Sequence, residues 1–278
     1  MSDHTIIIQG GLGNQLFQVF TLMNYCIENK CEYKFPRQMQ DWDKYRHPYW
    51  ETFFGELKSQ VESVDENSYA EYIEPNFNYN EIPSFLNNTR LNGYFQTELY
   101  FKKNFADICG ILNIKEKQEE IKHKYVEHNN SISLHFRMGD YVNPAHHPIM
   151  PDDYYIDSLT HIINTTQIEE WNVYYSCESI DDDVVMNRIN TINMTFNHLN
   201  FIKIQNEMED WAQMLALSVC KHNIIANSSF SWWGAHLNTN VNKIVCCPSV
   251  WFGPAKKNLS LKDLHPESWT RIILRNTR

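Results

Sequence analysis

Asn223-Ile224-Ile225-Ala226-Asn227-Ser228-Ser229-Phe230-Ser231-Trp232-Trp233-Gly234-Ala235-His236 is the stretch from which the fold can be read. Its first four residues form the short apolar run that a parallel strand, covered on both faces, requires. Small hydroxyl residues then turn the chain into a helix beginning at about Ser231. A strand that ends in serines at a helix start offers backbone N–H groups without helical partners, hydroxyl donors and the positive end of a helix dipole. Together these suit an anion such as phosphate. The same residues also read as a capped turn whose Trp232 and Trp233 belong to the core.

Working outward, the same strand–turn–helix unit recurs through the second half of the chain. Ser131–Phe136 reads as a strand, and Asp153–Asn164 as a helix with Tyr155, Leu159 and Ile162 on one face. Val173–Cys177 is a strand and Asp182–Asn190 a helix. A strand at Asn200–Ile204 precedes a helix at Asp210–Lys221, and Lys243–Cys247 closes the series as a strand. This alternation predicts βαβ units in a parallel sheet with helices on both faces. The N-terminal half opens the same way: Thr5–Gln9 is a β-branched run, followed by Gly10-Gly11-Leu12-Gly13-Asn14. Leu16, Phe20, Met23 and Ile27 then fall at helical spacing, with Asn14 as a candidate cap. Glu32–Pro36 reads as a second strand. Residues 41–92 are rich in Tyr, Trp, Phe and Asn with weak periodicity and are expected to be irregular. Lys115–His128 is a charged, exposed helix, and Asn129-Asn130 after it marks a boundary between domains 1–129 and 130–278.

In open parallel sheets ligands bind beyond the carboxyl ends of the strands, and three unusual motifs fall there. The first is His135-Phe136-Arg137-Met138-Gly139-Asp140-Tyr141. Arg137 presents a permanently charged planar fork suited to a pyrophosphate, and Gly139 lets the backbone turn or approach a ligand. Asp140 either fixes the arginine or binds a hydroxyl; an internal Arg137–Asp140 ion pair is the other reading. The second motif, Gly10–Gln15, is neither GxGxxG nor a Walker loop. Its glycines permit close approach, and Asn14 and Gln15 offer neutral donors and acceptors, unless it is simply a tight βα turn. The third is Asn227–Ser231. Asp152-Asp153 and Asp181–Asp183 open helices, where acidic residues complement the dipole. His146-His147 reads as an exposed loop, no set of ligands has metal spacing, and Lys203, Lys221 and Lys243 are expected to be solvated.

Composition narrows the partners. A formal charge of −10 over 278 residues argues against a nucleic-acid surface. Hydrophobic residues at 42% and charged residues at 21% describe a globular chain. No apolar run approaches the ~18 residues of a membrane span, and Met1–His4 leads into a strand without a signal-peptide pattern. Seven cysteines without a CxxC read as reduced core thiols. A soluble, cytoplasmic protein is therefore expected.

Together the motifs resemble the α-1,2-fucosyltransferases of glycosyltransferase family 11. The resemblance is carried by Gly10-Gly11-Leu12-Gly13-Asn14-Gln15-Leu16-Phe17-Gln18, Gly93-Tyr94-Phe95-Gln96, His135–Tyr141, Cys220-Lys221-His222, Asn227–Leu237 and Pro248–Phe252. It implies an α/β fold of GT-B type, two Rossmann-like domains facing across a cleft, the first on the acceptor side and the second binding the donor. It further implies GDP-β-L-fucose as donor, a glycan acceptor (the 2-OH of a galactoside), inversion to an α-1,2 linkage, and neither metal nor other cofactor. The implied catalytic residues are Arg137, His135 and Asp140. The donor-binding set is Gly11, Gly13, Asn14, Gln15, Arg137, Asn227, Ser228, Ser229, Phe230 and Ser231. His135 would orient the phosphate or Arg137, or act as base, and Asp140, Glu98 and Asp41 are further candidates for the base. Two positions depart from the wider pattern. Met138 stands where a second arginine often follows the first, and Gln213 where an acidic residue often precedes the Cys-x-His pair by seven. These departures leave room for another GDP-deoxyhexose as donor, and a non-catalytic glycan- or nucleotide-binding module is the alternative outside enzymes. Acceptor specificity is expected in the aromatic stretches Trp42–Phe54 and Tyr94–Tyr100. The acceptor itself and the oligomeric state are not encoded in any motif.

Overall fold

The computed structural model describes residues 2–39, 47–126, 129–139 and 145–275. These form two units: residues 1–116 with 259–266, and residues 117–258 with 267–278. The change-over lies at Glu116–Lys117, inside a helix, rather than at the Asn129-Asn130 pair that its polar composition suggested.

The first unit contains β1 (Asp3–Ile6), α1 (Leu12–Asn29), β2 (Glu32–Tyr33), β3 (Phe35–Pro36), β4 (Val61–Glu62), β5 (Ala70–Ile73), β6 (Thr89–Asn92) and α2 (Phe105–Ile111); α3 (Ile114–Tyr125) spans the change-over. Its main sheet is parallel throughout, in the order β2-β1-β6-β5, and β3 pairs separately with β4. α1 is buried nearly all round: Leu16, Phe17, Phe20, Leu22 and Met23 are inaccessible, and so are the polar Gln15, Gln18 and Thr21. Gly11 is its N-cap, without a side-chain cap, and Asn14 lies inside the first turn instead of capping it. The expected strand Glu32–Pro36 is split into two short ones in different sheets. Pro36, which has no N–H to donate, sits in the outlying pair.

Three strands lie within the segment expected to be irregular. β6 is central, burying Thr89 and Leu91 while Arg90 and Asn92 face outward. Its Thr-Arg-Leu-Asn sequence has the period of a strand but too few apolar residues to announce one. β5 is an exposed edge, and an edge strand needs no apolar pattern.

The second unit runs β7 (Ser131–His135), α4 (Asp152–Thr166), β8 (Asn172–Ser176), α5 (Asp182–Asn193), β9 (Asn200–Lys203), α6 (Asp210–Ser218), β10 (His222–Ile224), α7 (Ser229–His236), β11 (Val245–Pro248) and the unanticipated three-residue β12 (Thr270–Ile272). Its six strands are all parallel, in the order β12-β11-β10-β7-β8-β9. The chain builds outward from β7 to β9, then crosses back to lay β10 on the other side of β7. The connections therefore diverge between β7 and β10, and this switch point opens the crevice in which doubly wound sheets bind their ligands. Ile132, Leu134, Val173, Ile224 and Cys246 fill the middle of the core, covered by Tyr154, Leu159, Ile162 and Ile189 from α4 and α5. On the other face α6 and α7 pack closely: a Cβ on Gly234 would stand 3.0 Å from the Leu217 Cβ.

Candidate functional site

β7 and β10 pair in register, Leu134 opposite Ile224, so their carboxyl ends deliver residues 135–139 and 225–231 side by side at the switch point. The contact between the two motifs is the His135 ring against Phe230, centroids 5.3 Å apart. His135 is 5% exposed, and its Nδ1 is buried with no hydrogen-bond partner among the described residues. Its carbonyl accepts the Tyr155 hydroxyl at 3.0 Å, which fixes the strand end. Burial first, and the Arg137 cation second, pull its pKa down to about 3. The imidazole is therefore neutral, with a nitrogen left over for a ligand.

Arg137 emerges two residues further on, its side chain mostly buried, and Nη1 forms an ion pair with Glu178. Glu178 follows β8, at the same edge of the sheet. The Gly139 N–H donates to Asp181 Oδ2 at 2.9 Å, and a Cβ on Gly139 would fall 2.5 Å from Glu178 Oε2. The two groups that this motif would present to an anion are thus held by carboxylates of the β8–α5 turn. Asp140 and Tyr141 lie outside the described residues. Glu178 went unnoticed in the sequence because its partner is 41 positions away; its place just past a predicted strand end was the available signal.

Across the switch point, the serine turn sends its two tryptophans into the core as expected, but no side chain caps the helix that follows. Trp232 and Trp233 are wholly buried, and truncating either would cost about 3–5 kcal/mol. Ser228 is the α7 N-cap, yet it makes no side-chain capping bond, and no acidic residue occupies the first turn. The N–H groups opening α7 therefore meet neither a capping side chain nor a carboxylate from that turn. The five predicted residues divide. Asn227 spends its amide hydrogens on the carbonyls of Pro148 (2.9 Å) and Trp251 (3.0 Å), and the Ser231 hydroxyl turns back to the Ser228 carbonyl at 3.3 Å. Both brace the turn. Ser229 and Phe230 are partly exposed, with Ser228 beside them.

In the first unit the loop after β1 bends at Gly10, whose φ of +78° needs glycine. Gly11 stays partly exposed at the head of α1, whereas Gly13 is buried within it. The Asn14 Oδ1 accepts Gln96 Nε2 at 2.7 Å, joining two of the sequence motifs. Gln15 is fully buried and donates to the carbonyls of Gly10 (3.0 Å) and His47 (2.9 Å), so it braces the loop from inside. Nothing in the sequence distinguishes that inward glutamine from a ligand-facing one.

The remaining candidates have partners of their own. Asp152 pairs with Arg188, whose guanidinium also donates to the Met150 carbonyl and stands 5.4 Å from the rings of Phe136 and Tyr155. The same group lies 3.9 Å from the Met138 sulfur, so a cation from α5 sits beside the position that often carries a second arginine. Asp182 pairs with Lys203, and Glu98 with Lys102 at 3.2 Å. Gln213 accepts the Ser176 hydroxyl and donates to the Met208 carbonyl, both at 3.0 Å, tying the end of β8 to α6. Asp41 and Trp42 lie outside the described residues. The expectation that Lys203, Lys221 and Lys243 are merely solvated fails. Lys221 lies over Trp171, and Lys243 donates to the carbonyls of Ala235 (2.8 Å) and Asn238 (2.6 Å) at the end of α7. Among the described residues no group of three or more His, Cys, Asp or Glu is disposed to hold a metal ion, and no helix is long and apolar enough to cross a membrane.

Comparison with known proteins is consistent with this architecture. The model of the glycosyl transferase family 11 matches residues 51–270. The O-antigen biosynthesis glycosyltransferase WbnK of Escherichia coli is 33% identical over 176 residues, 61% of this chain and 52% of that protein. An alpha-1,2-colitosyltransferase of Escherichia coli is 32% identical over 187 residues, 65% of this chain and 61% of its own. The chain thus spans about half to three-fifths of these relatives. Among solved structures, the ADP-heptose lps heptosyltransferase II of E. coli superposes over 98% of this chain and 90% of its own, with a TM-score of 0.52 at 11% identity. POFUT1 in complex with GDP superposes over 88% and 98%, with a TM-score of 0.51 at 9% identity. The fold is accordingly of the GT-B class expected from the motifs. With a match from residue 51 to residue 270, the chain belongs to glycosyl transferase family 11.

Proposed function

We propose that this chain transfers L-fucose from GDP-β-L-fucose to a hydroxyl of a glycan, the 2-OH of a galactoside, inverting the donor configuration to an α-1,2 linkage. The observation that carries the reading is the meeting of His135, Arg137 and the uncapped start of α7 at one sheet switch point. A nucleoside diphosphate offers the spread negative charge that a guanidinium fork and free helix N–H groups accept. Support for the ligand class comes from a relative named as a colitosyltransferase and from a fold neighbour solved with GDP.

In this mechanism the acceptor oxygen attacks the anomeric carbon while the bond from that carbon to the β-phosphate oxygen breaks, its electron pair leaving with GDP. Arg137 exchanges Glu178 for the diphosphate and, with the N–H groups opening α7 and the hydroxyls of Ser228 and Ser229, stabilises charge where it grows. Neutral His135 orients the phosphate by donating a hydrogen bond. Asn227, Ser231 and Gln15 act by holding the loops. In the first unit, Gly11 leaves the loop after β1 open to close approach by a ligand, while Asn14 ties that loop to Gln96. The cation next to Met138 is neutralised by Asp152, so one arginine carries the phosphate. Catalysis proceeds without metal.

The colitosyltransferase relative favours a second reading, in which the sugar is another GDP-linked deoxyhexose. Incubating the protein with several GDP-sugars and a glycan panel, with and without a chelator, decides both points. Transfer from GDP-fucose, undiminished by the chelator and giving an α-1,2 product by NMR, is the expected result. Thermal protection by glycan alone, with no GDP released from any donor, would make the chain a binding module instead.

A further inference from the structure

The two phosphates of the donor call for more positive charge than Arg137 alone brings. Met138 is apolar, and Arg188 beside it is neutralised by Asp152. Lys256 belongs to the same unit as Arg137 and follows β11. β10 and β11 pair in register, Ile224 opposite Cys246, so the segment after β11 leaves the same carboxyl edge as the serine turn. Asn227, the residue before Ser228, draws that segment in: its amide donates to the carbonyls of Pro148 (2.9 Å) and Trp251 (3.0 Å). The neighbours of those two residues, His147 and Phe252, are the pair that touches the Lys256 ammonium.

The lysine is built into place. The Gly253 and Ala255 N–H groups donate to the carbonyls of His146 and Ala145, both at 2.8 Å, and the Lys256 N–H closes on the Gly253 carbonyl at 2.9 Å. Lys256 Nζ lies 3.3 Å from His147 Nε2 and 5.0 Å from the centre of the Phe252 ring. An ammonium has only hydrogens to give, so the imidazole nitrogen accepts, and the ring offers the negative face of its quadrupole. Arg137, Arg188 and Lys203 each meet a carboxylate, whereas half-buried Lys256 meets none among the described residues. A cation held only by neutral groups keeps its field, and its remaining hydrogens, for a ligand.

We infer that Lys256 is the second cation of the diphosphate site, meeting the donor from the side of the serine turn away from Arg137; the inference rests on the transferase reading. The strand order sets the three groups in sequence along one edge: Lys256 after β11, the serine turn after β10, Arg137 after β7. A diphosphate lying on the N–H groups that open α7 then has a cation on either flank. As the sugar–phosphate bond breaks, its electron pair stays on the diphosphate, and the ammonium stabilises the charge that grows there. The positive charge absent at position 138 is thus supplied from a different strand.

Lys256→Met keeps an apolar chain against the Phe252 ring and removes the charge. Isothermal titration should show GDP and inorganic pyrophosphate each weakened about 10-fold or more, with a shallower dependence of affinity on salt and an unchanged melting temperature. Lys256→Arg should bring GDP affinity back to within about threefold of the parent. Lys257→Met, which removes the exposed neighbouring charge, should alter either ligand by no more than about twofold. Transfer from GDP-fucose by Lys256→Met should fall at least as far as GDP affinity does, since the charge is greatest as the bond breaks. GDP bound by Lys256→Met within about twofold of the parent overturns the assignment while leaving the transferase reading intact. So does GDP weakened with pyrophosphate unaffected, or an equal loss in Lys257→Met. Failure of the parent protein to bind GDP or to turn over any GDP-sugar removes both.

Discussion

Glu178→Gln tests how the nucleotide site is assembled, because two roles for Glu178 predict opposite signs. In the structure its carboxylate occupies the Arg137 fork, and a diphosphate must take its place. The Arg137 side chain is 17% exposed but that of Glu178 is 47% exposed, so solvent screens the pair. It is then worth about 0.5–1 kcal/mol, as surface pairs are. Removing the competing charge should release that amount to the ligand, tightening GDP about two- to fivefold, with little change in melting temperature. Arg137→Ala removes a charge-assisted contact of about 1.5–3 kcal/mol and should weaken GDP about 10- to 150-fold, abolishing transfer while leaving the fold intact. Isothermal titration of GDP into the three proteins, at one fixed ionic strength, measures all of this. Should Glu178→Gln weaken GDP as much as Arg137→Ala does, the carboxylate aligns the arginine instead of competing for it. GDP affinity unaltered in Arg137→Ala would remove Arg137 from the site altogether.

Other consequences are smaller in scope. His135 and His222 have folded pKa values of about 3 and about 4, both depressed chiefly by burial from an ordinary 6.5. The unfolded chain therefore binds protons that the folded one refuses as pH drops below 6.5, and stability should fall by roughly 1 kcal/mol per histidine between pH 7.5 and 5.5. Urea titrations at the two pH values should show His222→Gln losing about half of that slope, and equal slopes would refute the assignment. Lys243→Met removes the ammonium from the Ala235 and Asn238 carbonyls and should cost about 1 kcal/mol in chemical denaturation; no loss would mean that water replaces it. Gly10→Ala forces a Cβ to within 2.4 Å of the Asn14 amide at a φ of +78°. It should destabilise by about 1–2 kcal/mol. Gly110→Ala, in α2 with nothing within 4 Å, should be neutral or slightly stabilising. Equal effects at the two glycines would contradict the geometry.

Much of this protein is written locally. Ile224–Trp233 announces strand, turn and helix through apolar continuity followed by small hydroxyl residues, and the repetition of that pattern from Ser131 onward is enough to specify a parallel α/β sheet. His135, Arg137 and the serine turn stood out because polar residues at the ends of buried strands need partners, and the fold does bring the two motifs together. β5 and β6 were hidden because an edge strand and a strand with one polar face lack the apolar run that signals burial. What only the tertiary structure decided is pairing at long range. Glu178 holds Arg137 from 41 positions away, Arg188 meets Met138 from 50, and Glu74 is seated by amides about 20 residues on. Periodicity records which face of a strand or helix avoids water, a property of neighbouring residues. Which carboxylate faces which cation, and whether Gln15 or Asn227 points at a ligand or braces a loop, depends on how separate strands line up, and no local pattern carries that information.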